Sequence, residues 1–199
     1  MSFNILTDRL PDSVTVSGVS YRIRTDFRRW ILMLDLFDRC RECSPMRLDT
    51  LTAAKCAVHI VMPEYGENND LSAPTLIGLL EEFVRFAYGA HPLDTGITRA
   101  GDVSGRDSRV FDFSCDAELI LSSFLREYGI DLTRENLHWW RFLALLRSLP
   151  SDSDFMRVVR LRLCDTTKIA DDGLRRQLRR AKAAVRLKPS VGESLTKGD

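Results

Sequence analysis

The sequence predicts a mainly α-helical protein, and three observations carry that prediction. Apolar residues recur at three- and four-residue steps over most of the chain, residues that cap or stop helices punctuate those recurrences, and strand-like alternation joined by a turn signal is found in a short stretch near the N-terminus. The expected architecture is a helical domain with a short N-terminal β-hairpin, two helical halves joined by a flexible mid-chain loop, and a basic C-terminal helix. The parts are residues 1–89, the loop 90–109, residues 110–163, and the basic helix and tail 164–199.

The hairpin comes first. Val14 and Val16, then Ser17-Gly18, then Tyr21 and Ile23 alternate in the strand manner, with Gly18 able to take a positive φ at the turn. Thr25 or Asp26 can cap the next helix. That helix carries Trp30, Ile31, Met33, Leu34 and Phe37, too apolar for a surface position and therefore central. Ser44-Pro45 ends it. A second helix is expected from about Leu48 to Val61, stopping before Pro63. A third opens at Ser72 with Pro74 early, places Leu76, Leu79, Leu80, Phe83 and Phe86 on one side, and ends at Gly89.

Residues 90–109 hold three glycines with several Ser, Thr and Asp, which reads as a linker. Helical pattern returns at Ala117, where Ile120, Leu121, Phe124, Leu125 and Tyr128 mark a buried stripe closed by Gly129. The next helix is expected to start from an N-cap at Thr133, with Leu132 and Leu137 as its staple. Trp139, Trp140, Phe142, Leu143 and Leu146 leave it only a narrow polar strip of Arg134, His138 and Arg141. The two tryptophans point about 100° apart, so one is expected on the Ile120–Phe124 face and the other on the first half or a partner. Pro150 stops this helix, and Ser151 with Asp154 resembles a capping box for Phe155–Leu163, read as helix despite alternation at its end. From Asp171 to Lys188 a thin stripe of Leu174, Leu178, Ala181 and Val185 is surrounded by Arg175, Arg176, Arg179, Arg180, Lys182 and Arg186. Past Pro189 the chain reads as a frayed tail.

Composition narrows the class. The 199 residues are 44% hydrophobic and 29% charged, as in ordinary folded proteins. A formal net charge of +1 gives no strong overall field for nucleic acid or an anionic membrane. The first residues lack the basic start and apolar block of a secretory signal, and the run Trp30–Leu34 is far short of the roughly 20 residues of a membrane span. Five irregularly spaced cysteines argue for a reducing compartment rather than a disulfide framework.

Each chemical motif has a plainer reading. Cys40-x-x-Cys43 and Cys56-x-x-His59 have the outline of a zinc site, but both pairs fall in helical pattern rather than tight turns, so core cysteines and a half-exposed histidine are preferred. Asp94-Thr95-Gly96 spells the aspartic-protease triplet without the apolar strand that should precede it. Gly101-Asp102 and Gly105-Arg106 lack the Gly-Lys-Ser/Thr of a phosphate loop. His138 reads as a helix-surface residue, and Asp112 and Asp116 as caps and solvated faces. No catalytic, metal or cofactor site is expected. The basic helix reads first as a solvated element docked by its thin stripe, then as a partner-binding helix. Nucleic acid is the weakest partner reading, since neither an interleaved aromatic nor a DNA-binding motif accompanies the arginines.

Four segments carry a family resemblance: Tyr21-x-Ile23-x-Thr25-Asp26-Phe27-Arg28, Phe111-Asp112-Phe113 with Asp116-Ala117, Tyr128-Gly129-Ile130-Asp131-Leu132, and Leu137-His138-Trp139-Trp140-Arg141-Phe142. Over residues 10–163 the chain resembles the phage gene-product-fifteen family, whose members are encoded in the tail module near the tape-measure gene. The basic tail after Cys164 lies outside the resemblance. The resemblance implies a non-enzymatic tail-assembly protein, a chaperone for the tape measure, in the cytoplasm of the infected bacterial host. The alternatives are a structural tail or head–tail component retained in the virion, and a zinc-binding regulatory or nucleic-acid-binding protein. A chaperone for a helical protein needs an aromatic groove. Trp139, Trp140, Phe142 and Leu146 are the expected first wall, with Phe83 and Phe86 as the second, and self-association is expected when the partner is absent. Residues 165–199 are expected to be dispensable for folding.

Overall fold

A computed structural model describes residues 6–42, 49–65, 71–88 and 110–187. Among these residues it contains a two-stranded antiparallel hairpin, β1 (Ser13–Val16) and β2 (Val19–Arg22), and seven α-helices. The helices are α1 (Phe27–Glu42), α2 (Thr50–Val61), α3 (Ala73–Tyr88), α4 (Ala117–Tyr128), α5 (Trp139–Arg147), α6 (Asp154–Leu163) and α7 (Asp172–Ala184). The chain is therefore mainly helical with a short N-terminal hairpin. The loop 90–109, Ser44-Pro45, Gly89 and the residues past Pro189 lie outside the described residues.

The helices divide into two units, and the division is not the one the sequence suggested. The first takes the described residues up to Tyr88 together with Asn136–Leu143, and the second takes 110–135 and 144–187. Thus residues 136–143, expected in the second half, complete the first unit.

In the first unit the hairpin turns through Ser17 (φ 51°) and Gly18 (φ 81°), the pair of positive φ values that matches strand twist. Val14 and Val16 face inward. Helix α3 lies against β1, α2 against α3, and α1 against α2. Gly78 permits the close approach of α3 to the hairpin, because a Cβ there would lie 2.6 Å from Val16 Cγ1. Asp26 is the cap of α1, its Oδ1 accepting from the Arg28 backbone N–H at 2.9 Å. Asp49 caps α2 and Ser72 caps α3 in the same way.

The core of this unit is aromatic. Trp30 packs against Phe83 and Phe86, with centroids 6.2 and 4.4 Å away. Phe27 stacks on Phe142 at 4.6 Å, and Phe142 on Trp139 at 5.7 Å. All three tryptophans of the chain are here, and each indole N–H donates to a backbone carbonyl. Trp30 reaches Arg24, Trp139 reaches Ala87 and Trp140 reaches Phe86, all at 2.8 Å. The last four carbonyls of a helix have no partner within it, so Trp139 and Trp140 together close the C-terminal end of α3. The two side chains diverge by about 100°, but so do successive carbonyls on the helix they serve. The expectation that one indole packs on the Ile120–Phe124 face is therefore replaced: the polar end of each turns to α3.

In the second unit α4 packs on α6, and α6 on α7. Phe111, Phe113, Ile120, Phe124, Phe155 and Val159 are buried, with Phe111 edge-on to both Phe113 and Phe155. Gly129 ends α4 in the left-handed conformation (φ 66°), its N–H donating to Leu125 O. Ser153, not Ser151, caps α6, its Oγ accepting from the Met156 N–H, and the alternating end of that segment is helical after all.

Asp116 corrects the sequence reading most sharply. It is 1% exposed rather than on a solvated face. The Arg162 guanidinium binds it through two bonds, Nη1 to Oδ2 at 2.7 Å and Nη2 to Oδ1 at 2.8 Å. Arg162 Nε also donates to Val185 O at 2.7 Å, and Lys182 Nζ to Cys164 O at 2.8 Å. The end of α7 is thus tied to a strongly buried ion pair, and residues 165–187 pack within the second unit.

Candidate functional site

The helix expected from Thr133 begins six residues later, and the reason lies in the first unit. Asp131 takes the Thr133 N–H and hydroxyl into a local turn, at 2.9 and 2.6 Å. Leu137 and His138 then run extended beside Thr25-Asp26, forming an antiparallel bridge between Asp26 and His138. The Phe27 N–H donates to Leu137 O at 3.0 Å and the Trp139 N–H to Thr25 O at 2.7 Å. Two segments about 110 residues apart in sequence are thereby joined at the backbone.

His138 is consequently not a helix-surface residue. Its Nδ1 accepts from the Trp140 N–H at 3.1 Å and so caps α5, which leaves Nε2 to carry the proton and donate to Pro11 O at 3.0 Å. Burial holds its pKa below the ordinary imidazole range, against the opposing pull of the Pro11 carbonyl and Asp12. Among the described residues both ring nitrogens are engaged by backbone groups, and neither bonds to a carboxylate. The histidine is structural.

The bridge forms one side of an open cleft of about 1050 Å³. Its second side is the start of α1 with Arg28, Arg29 and Leu32, and its third runs from Arg22 at the end of β2 to Arg24, beside Met62, Glu64 and Tyr65. Ile23, Val61, Met62 and Leu137 are buried and make the floor apolar. Leu32, by contrast, is 52% exposed at the rim.

The charges around the cleft are not evenly matched. Arg24 donates to Glu64 at 2.8 Å, and Arg28 donates to Asp26 at 2.8 Å and to Asn136 at 3.2 Å. Asp12 is paired with Arg9 at 3.1 Å. Arg22 and Arg29 are exposed, and among the described residues their guanidinium groups meet no carboxylate.

The expected aromatic groove fares differently. Trp139, Phe142, Phe83 and Phe86 come together in the first unit, and Leu146 is in the second, but all five are buried. They form core rather than open wall. Of the six, only Trp140 is half-exposed, stacked on Phe86 at 5.1 Å. On α7, Arg175 turns inward to Ile169 O and Ala170 O and pairs with Asp172, while Arg176, Arg179 and Arg180 are exposed. Of the zinc pattern, Cys56 is half-buried and His59 exposed, whereas the Cys40 side chain and Cys43 lie outside the described residues, as do Asp94-Thr95-Gly96 and the glycines at 101 and 105. Among the described residues no three His, Cys, Asp or Glu side chains are grouped as metal ligands, and no helix is long and apolar enough to cross a membrane.

Two features escaped sequence reasoning. The Asp116–Arg162 pair spans 46 residues and has no local signal. The cleft depends on a bridge that the helical periodicity of residues 137–149 concealed.

The model of the family described as Bacteriophage Gp15 protein matches residues 6–187. It extends through α7, beyond the expected limit at residue 163. No curated protein and no solved structure matches the chain.

Proposed function

The chain belongs to the bacteriophage Gp15 protein family, and from that premise we propose that it is a non-enzymatic tail-assembly protein that acts by binding another phage protein in the host cytoplasm. The partner proposed is the tape-measure protein, held soluble until tube subunits cover it.

One observation carries this reading: the cleft of about 1050 Å³ in the first unit. Two of the four segments that carry the family resemblance, Tyr21–Arg28 and Leu137–Phe142, meet at its edge through the Asp26–His138 bridge. Its lining is an apolar floor under a charged rim, which suits a protein segment. The one histidine within it is occupied on both nitrogens by structural bonds, so the lining offers acceptors and donors for recognition rather than a base poised for chemistry.

Coexpression with the tape-measure protein tests the proposal. The expected result is a soluble complex and a larger soluble fraction of the tape measure. A protein that neither binds nor solubilises it overturns the chaperone reading. Mass spectrometry of purified particles separates the chief alternative, since a structural tail or head–tail component stays in the virion and a chaperone does not.

A further inference from the structure

Resting on the cleft as the binding site, we infer that its occupant is an amphipathic helix with an acidic face, which sets carboxylates on Arg22 and Arg29 and an apolar residue against Leu32. Size is the first ground. About 1050 Å³ lies at or above the top of the roughly 300–1000 Å³ of small-molecule pockets, which suits a protein segment better than a small ligand.

Charge is the second. Arg24 and Arg28 are already neutralised by Glu64 and Asp26, so they fix the cleft's shape rather than its selectivity. Arg22 and Arg29 both line it, one on β2 and one on α1, both exposed and without a carboxylate among the described residues. A guanidinium offers a planar fork that a carboxylate matches with two bonds. Two such groups lining one opening select a ligand bearing two separated carboxylates and repel a basic one.

The third ground is Leu32, which lines the same cleft and is 52% exposed. A free small anion gains nothing from an exposed leucine or the floor beneath it. An amphipathic helix covers both while its acidic side meets the rim. The exposed arginines of α7, Arg176, Arg179 and Arg180, lie outside this cleft and make the natural comparison.

The test uses the full chain and two synthetic helical peptides of identical leucine pattern, one with glutamates and one with lysines on the polar face. Fluorescence anisotropy at low salt is expected to show the glutamate peptide binding at least tenfold more tightly, with most of the difference lost at high salt. The double variant Arg22→Glu/Arg29→Glu is expected to reverse the preference, and Arg176→Glu/Arg180→Glu on α7 to leave it intact, with thermal melts showing both variants folded. Equal binding of the two peptides overturns the inference, as does a preference unchanged by the cleft variant or abolished by the α7 variant. A tape-measure complex that survives the cleft variant also overturns it while leaving the chaperone reading in place. Peptide discrimination in a protein that never binds the tape measure does the reverse.

Discussion

Replacing Arg162 by methionine is expected to destabilise the second unit by about 3–5 kcal/mol, the cost of stranding a buried charge. The magnitude comes from the bonds this residue makes. Its side chain is 11% exposed and that of Asp116 is 2% exposed. Four bonds are lost: two to Asp116, one to Val185 O and one, at 3.2 Å, to Val110 O. At about 1.5–3 kcal/mol for a bond to a charged group, the four bonds sum to about 6–12 kcal/mol, an upper bound because the freed carbonyls can be rehydrated, so the buried-pair figure sets the magnitude. The two estimates describe one effect and are not added. Urea denaturation at neutral pH followed by circular dichroism gives the loss, and hydrogen exchange places it in α4, α6 and α7. Since all three tryptophans lie in the first unit, their fluorescence follows that unit instead. The double variant Asp116→Leu/Arg162→Met removes both charges and is expected to recover at least half of the loss, as an apolar pair of similar volume often does. A loss below about 1 kcal/mol in the single variant, or a double variant no better than the single, would refute the reasoning.

Four further outcomes are expected. Stability should fall on acidification through His138: its folded pKa lies below the ordinary value, so the unfolded chain takes up the proton first. The contribution is fully present above about pH 6.5 and lost as pH drops through the folded value; His138→Gln should flatten the urea midpoint over that window. Gly78→Ala places a methyl 2.6 Å from Val16 Cγ1 and should cost about 1–3 kcal/mol by overpacking, with part returned by Val16→Ala in the same chain. Trp139→Phe should cost more than Trp140→Phe, about 1–3 kcal/mol for a buried carbonyl left unpaired, because water can reach the bond of the half-exposed Trp140; equal losses in melts would contradict the capping role. Deleting residues 165–199 should lower the melting temperature of the second unit, while deleting 188–199 leaves the Arg162–Val185 bond and should not.

Much of the helical framework is legible in the sequence because its signals are local. Ser72, Gly129 and Asp171 sit at the helix ends where capping chemistry places them, and Ser17-Gly18 marks the hairpin. The failures share a cause. Leu137-His138 shares the helical periodicity of residues 139–149, but its backbone groups are claimed by Thr25 and Phe27, over a hundred residues earlier. A long-range bridge overrides a local preference at that point and delays α5 to Trp139. Asp116 obeys the same logic, since nothing near it in sequence announces Arg162. The aromatic residues of α5 and α3 are recognisable as apolar surplus, but burial depends on how many such faces converge. Phe27, Trp30, Phe83, Phe86, Trp139 and Phe142 satisfy one another and leave little for a partner.

The first unit is not contiguous in sequence, and this sets a timetable for synthesis. Its hairpin and first three helices are complete at Tyr88, yet the strand partner of Asp26 and the two indoles that close α3 arrive only with residues 136–143. At about 5–20 residues per second, the ribosome needs roughly 3–11 seconds to bridge that interval. Throughout it Phe27 lacks its stacking partner Phe142, Phe86 lacks Trp140, and the last carbonyls of α3 lack the indoles that will cap them. The nascent chain therefore holds an unfinished aromatic core while more than a quarter of its length is still being made. A fragment ending at residue 89 reproduces that interval permanently, and aggregation is its expected fate.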